Sequence, residues 1–150
     1  MEPAALPVLL EKESPDMTLI ESAAQGEPRL LLAHSDIGFA ALASRRLHRA
    51  GWDVYLARTG NEVRQLTKTV SPALVVLDTD LPDESGWLLC EKLSHEQPSP
   101  KVILVSDDLT PESSNFASFV GATALVHRQE GVGVLINEVN EAALSAASQP

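Results

Sequence analysis

From Arg29 to Ala143 the chain alternates between two textures. Residues 30–33, 74–77 and 102–105 are apolar at every position, and between them lie longer stretches in which apolar residues recur every three or four positions. A strand covered on both faces needs no polar side, so the continuous runs predict inner strands of a parallel sheet. Residues 52–57 and 124–126 are less uniform and predict outer strands. Residues 37–50 read as a helix that Ser35 or Asp36 would cap and Gly51 would close. A second helix over 61–70 follows the Thr59-Gly60 turn, and a third over 87–95 carries Leu88, Leu89 and Leu93 and stops before Pro98 and Pro100. Thr110-Pro111-Glu112 opens a fourth, with Phe116, Phe119 and Val120 on one side as its expected core face and Gly121 as its end. Leu135, Ile136, Val139 and Ala143 stripe the fifth.

Five strands and five helices in strict alternation predict an α/β fold, a doubly wound parallel sheet inside a three-layer sandwich. Right-handed crossovers then put ligand chemistry at the carboxyl ends of the strands. Those ends carry His34-Ser35-Asp36, Asp78, Ser106 and Arg128.

The flanks have a different character. Residues 1–28 hold four prolines and six acids against Lys12 alone, which predicts a flexible acidic leader with residues 6–10 as a candidate docking motif. The folded domain is expected over 29–144, with 145–150 as a frayed tail or linker. A net charge of -10, from 11 basic and 21 acidic residues, argues against a surface built to neutralise phosphate backbones, local basic patches aside, so neither nucleic acid nor membrane is an expected partner. Cys90 is the single cysteine, suited to packing; with no zinc spacing among Cys and His and no apolar run near the roughly 20 residues of a membrane span, a cytoplasmic protein is expected.

With these pieces in order, residues 29–143 resemble the response-regulator receiver family, CheY-like domains of two-component signalling. Leu74-Val-Val-Leu-Asp78-Thr-Asp80-Leu-Pro82-Asp-Glu-Ser-Gly86 is similar to the family's phosphoacceptor strand and the loop after it. Ala57-Arg-Thr-Gly60 and Gly121-Ala122 resemble the family's second loop and its approach to the fifth strand. The resemblance implies a flavodoxin-like strand order 2-1-3-4-5, no enzyme activity, and Asp78 at the phosphoacceptor position. In such a domain a carboxylate attacks a phosphoryl group only when a cation, usually Mg²⁺ on oxygen ligands, neutralises both charges.

At several positions the chain departs from that pattern. His34 and Ser35 stand where the family has two acids, leaving Asp36, Asp78 and the Asp80 backbone as the metal ligands that remain. Losing one charge about 4 Å from a divalent ion forfeits several kcal/mol even at an effective dielectric near 20. Ser106 keeps the hydroxyl position but Asp107-Asp108 follows it, Leu125 occupies the aromatic switch position, and Arg128 replaces the lysine. Two roles stand open for Asp36, helix cap or metal ligand, and two for Arg128, an ion pair with Asp78 or a solvated strand end. His34 is expected against Asp78, giving pH sensitivity near 6.5, and His48, His95 and His127 are expected at the surface.

Two functions compete. The first is an atypical receiver, or pseudo-receiver, that binds a signalling protein with little or no phosphorylation and no cofactor; its contact face would include Phe116, Phe119, Leu125 and Val134. The second is a working phosphoacceptor charged on Asp78 by a histidine kinase with Mg²⁺. A nucleotide-binding enzyme is disfavoured, because no Gly-rich phosphate loop follows the first strand.

Overall fold

In the computed structural model, which describes residues 27–147, the three uniformly apolar runs become the three inner strands of one sheet. The elements are β1 (Arg29–Ala33), α1 (Ile37–Arg49), β2 (Asp53–Ala57), α2 (Gly60–Val70), β3 (Leu74–Asp78), α3 (Gly86–Ser94), β4 (Lys101–Ser106), α4 (Pro111–Phe119), β5 (Ala124–His127), a short turn of tighter helix over Arg128–Glu130, and α5 (Val132–Ala147). All pairings are parallel, in the order β2-β1-β3-β4-β5. The expected leader lies outside the described residues save its last two positions, and so does the tail from 148. α5 itself runs three residues past the expected boundary at Leu144.

Successive strand residues point to opposite faces, and that period of two divides the inner strands between two cores. Leu30, Leu32, Leu74, Val76, Ile103 and Val105 meet Leu47 of α1 and Leu135 of α5. Leu31, Val75, Leu77 and Leu104 meet Val63 of α2, Leu89 of α3 and Ala117 of α4. Each fully buried leucine contributes about 1.5–3 kcal/mol. Trp52 turns into the first core instead of joining the sheet, so β2 begins one residue later than the sequence suggested. Gly51 and Gly121 sit at φ 103° and 89° after α1 and α4, a conformation that a side chain would strain.

One expectation fails on α4. Phe116 and Phe119, read as core, are 41% and 80% exposed, while Ala117 and Val120 are buried. The cause is helix phase. Thr110 Oγ1 accepts the Ser113 N–H and Ser113 Oγ accepts the Thr110 N–H, both at 3.2 Å, and this capping box turns Ser113 and Ala117 inward. Phe116 and Phe119, one position before Ala117 and two after it, fall outside. Thr110→Ala is expected to cost about 1 kcal/mol, read as a lower urea midpoint at unchanged slope.

Candidate functional site

The chain leaves β1 through His34, Ser35 and Asp36 before α1 begins. Asp36 is the N-cap: its Oδ1 accepts the Phe39 N–H at 3.1 Å. Its own N–H donates to His34 Nδ1 at 3.0 Å, which fixes a neutral imidazole with the acceptor nitrogen turned to the backbone. The ring lies against Phe39, with centroids 4.6 Å apart. His34 Nδ1 also stands 3.7 Å from Asp78 Oδ2, so the expected contact is present, as a neutral neighbour.

Asp78 ends β3 and is 5% exposed. Its Oδ2 accepts both the Ser35 N–H, at 2.9 Å, and the Ser35 Oγ–H, at 2.6 Å. Its Oδ1 accepts the Asp80 N–H at 2.9 Å. Uncharged donors therefore occupy both oxygens of the buried carboxylate, satisfying a group that would be costly to leave unpaired.

Arg128 does neither of the two things expected of it. Nη1 donates to Asp36 Oδ2 at 2.9 Å and Nε donates to Asp107 Oδ1, so the expected bond to Asp78 is absent and the guanidinium is not simply solvated. Sheet order explains the choice: β4 lies between β5 and β3, so a side chain at the end of β5 first meets the loop leaving β4. Asp107 is consequently engaged. Ser106 Oγ is turned back onto its own loop, accepting the Asp108 N–H and donating to the Asp108 carbonyl, both at 3.1 Å. Leu125 packs partly buried on the second core and Val134 on the first, which weakens both as contact residues. His127, expected at the surface, is half-buried and its Nε2 is 2.9 Å from the Asp107 carbonyl oxygen.

The loop between β3 and α3 carries contacts that sequence reasoning missed. Asp83 accepts the Gly60 and Asn61 N–H groups at 2.7 and 3.1 Å, a carboxylate capping α2 from a distant loop. Those backbone donors hold the Asp83 carboxyl below the usual carboxylate range. Glu84 pairs with Arg64. The acids were visible, but their partners lie some twenty residues away and no local pattern announces them.

Burial lowers the His34 pKa below 6.5, outweighing the opposite pull of Asp78 and Asp36; nearby Arg128 adds to the lowering, and Asp107 opposes it. Titration of the site therefore moves to lower pH than the sequence suggested. As pH falls from 6.5 toward the folded value, the unfolded chain takes up the proton first, so stability declines across that window and is regained as pH rises. Thermal unfolding at pH 7 and pH 5 is expected to show a lower midpoint at pH 5. His34→Asn keeps an acceptor near the Nδ1 position, and is expected to lose the part of that drop due to His34.

Comparison with known proteins places this geometry. The family profile described as "Response regulator receiver domain" matches residues 30–140. The chain belongs to that family. A receiver domain of CheY-like type from Methanospirillum hungatei superposes with a TM-score of 0.70 at 26% identity, covering 76% of this chain and 91% of that one. Among curated sequences, the DNA-binding dual master transcriptional regulator RpaA of Synechocystis is 33% identical over 70 residues, 47% of this chain and 29% of that protein. The alkaline phosphatase synthesis regulator PhoP of Bacillus subtilis is 27% identical over 93 residues, 62% of this chain and 37% of that protein. The receiver thus spans about a third of the length of these relatives. No described helix is long and apolar enough to cross a membrane.

For a receiver, the question is whether the strand ends fit Mg²⁺. They do not. Among the described residues no group of three or more His, Cys, Asp or Glu side chains is placed to hold a metal ion. Asp36 is committed to Phe39 and Arg128, and Asp78 to Ser35 and Asp80.

Proposed function

We propose that this chain is an atypical, non-enzymatic receiver of the cytoplasm, without a cofactor, that acts through protein contact and does not cycle Asp78 through phosphate. One observation carries the reading: both oxygens of Asp78 accept hydrogen bonds from Ser35 and Asp80, where a phosphorylatable site needs one to attack the phosphoryl group and a cation to neutralise the charge. The geometry at Arg128 supports it, since its charge is spent on Asp36 and Asp107. The contact face we favour is the aromatic step formed by Trp87 and Phe116, 5.0 Å apart, and Phe116 and Phe119, 6.2 Å apart. An exposed aromatic cluster of this kind suits a protein partner. Nucleic acid is no part of the reading for this 150-residue chain of net charge -10, although RpaA is described as DNA-binding.

Incubation with acetyl phosphate or beryllofluoride and Mg²⁺, followed by intact-mass and fluorescence measurement, tests the proposal. No adduct is expected. A stable adduct that disappears in Asp78→Asn would instead establish a working phosphoacceptor.

A further inference from the structure

The outward face of α1 joins two features that neither core uses. Ile37 and Leu42 are 66% and 43% exposed, and Arg45, Arg46 and Arg49 follow them toward the helix end as exposed residues. Leu42, Arg45, Arg46 and Arg49 are i+3 and i+4 neighbours on one side of the helix, and Ile37 stands at its start toward the Arg45 edge of that side. A basic last turn complements the helix dipole, which accounts for Arg46 and Arg49 in part but for neither the apolar residues nor Arg45. Among the described residues none of the three arginines has an ion-pair partner.

The sequence that precedes the described domain has the complementary chemistry. Residues 1–26 contain Glu2, Glu11, Glu13, Asp16 and Glu21 against Lys12, and residues 6–10 read Leu-Pro-Val-Leu-Leu. The place where this segment joins the domain is equally telling. The Pro28 carbonyl accepts the Asp53 N–H at 2.8 Å, and the Trp52 N–H donates to the Leu47 carbonyl at 3.1 Å. Pro28, near the start of the described residues, is therefore linked through the adjacent Asp53 and Trp52 amides to the last turn of α1.

We propose that residues 1–26 dock in cis along the exposed face of α1, their carboxylates meeting Arg45, Arg46 and Arg49 and residues 6–10 covering Leu42 and Ile37.

Length permits this comfortably. α1 has 13 residues, so it is about 20 Å long. The segment from Leu10 to Glu27 extends to roughly 55 Å, more than enough to run from the basic end of the helix to its start. Tethering also supplies an effective concentration near the millimolar range, so individually weak contacts suffice. The exposed aromatic surface on α3 and α4 is a poorer fit. The groove beside Trp87, Phe116 and Phe119 is lined by Glu112 and no basic residue, and an acidic segment would be repelled there.

A spin label on Ser14→Cys in the full chain tests the proposal; Cys90 is fully buried and stays unlabelled. In amide spectra at low salt, a several-fold loss of signal is expected along residues 37–49 relative to the reduced label. The loss is expected to shrink near 1 M salt, where the Debye length falls to about 3 Å, and to vanish in the charge reversal R45E/R46E/R49E. Signal loss centred on Trp87 and Phe119, or faint and uniform loss, would overturn the proposal. So would loss on unlabelled copies mixed with spin-labelled ones, which would assign the contact to a second chain.

Discussion

Gly86→Ala is expected to be among the most damaging single-methyl changes in this domain. A Cβ built at Gly86 would lie 1.9 Å from the Asp78 carbonyl oxygen and 2.7 Å from the Thr79 Cα. These are backbone atoms at the end of a fully buried strand, and no side chain can rotate away to make room. The Gly86 N–H donates to the Thr79 carbonyl at 2.9 Å, so the start of α3 is drawn onto β3 by the same contact that the methyl would break. Overpacking costs about 1–3 kcal/mol where neighbours yield, and a rigid backbone places this case at or above the upper end. A loss of roughly 10 °C in thermal midpoint is expected, and an unchanged midpoint would show that α3 slides freely.

The second large effect is a gain. Placing acids at the end of β1, with His34→Asp and Ser35→Asp together, is expected to raise Mg²⁺ affinity well above that of the natural chain. Both positions adjoin Asp78: Ser35 bonds to it directly and His34 stands 3.7 Å away. At an effective dielectric near 20, each carboxylate placed about 4 Å from a divalent ion contributes several kcal/mol before desolvation, enough for a gain of at least about 100-fold in affinity. Without metal the same carboxylates repel Asp78 and Asp36. The double variant should therefore unfold at lower temperature in chelator and recover with millimolar Mg²⁺, while the natural chain is indifferent to the ion. A natural chain stabilised by Mg²⁺ as strongly as the variant would contradict the account of the site given above.

Much of this architecture was legible in the sequence, and for a definite reason. A strand buried on both faces cannot hide its pattern, so β1, β3 and β4 were plain, and their carboxyl ends then located Asp78 and its surroundings. What was not legible depends on pairing at a distance. Ser35 stands where the family has an acid, and its hydroxyl does something no carboxylate there would do, donating together with its amide to the Asp78 carboxylate 43 residues away. The family pattern pairs Arg128 with Asp78, whereas the sheet order brings it to Asp107 on the loop leaving β4, and its second bond goes to Asp36, a partner that no local pattern marks. On α4 the large rings drew attention from Ala117, although the smaller side chain is the one that faces the sheet.

The donors that close the pocket around Asp78 carry no formal charge. Ionic strength screens the Arg128 contacts, which are partly exposed, but has little purchase on an amide and a hydroxyl bonded within a buried strand end. The bonds that set the resting shape around Asp78 are thus ones that salt barely screens.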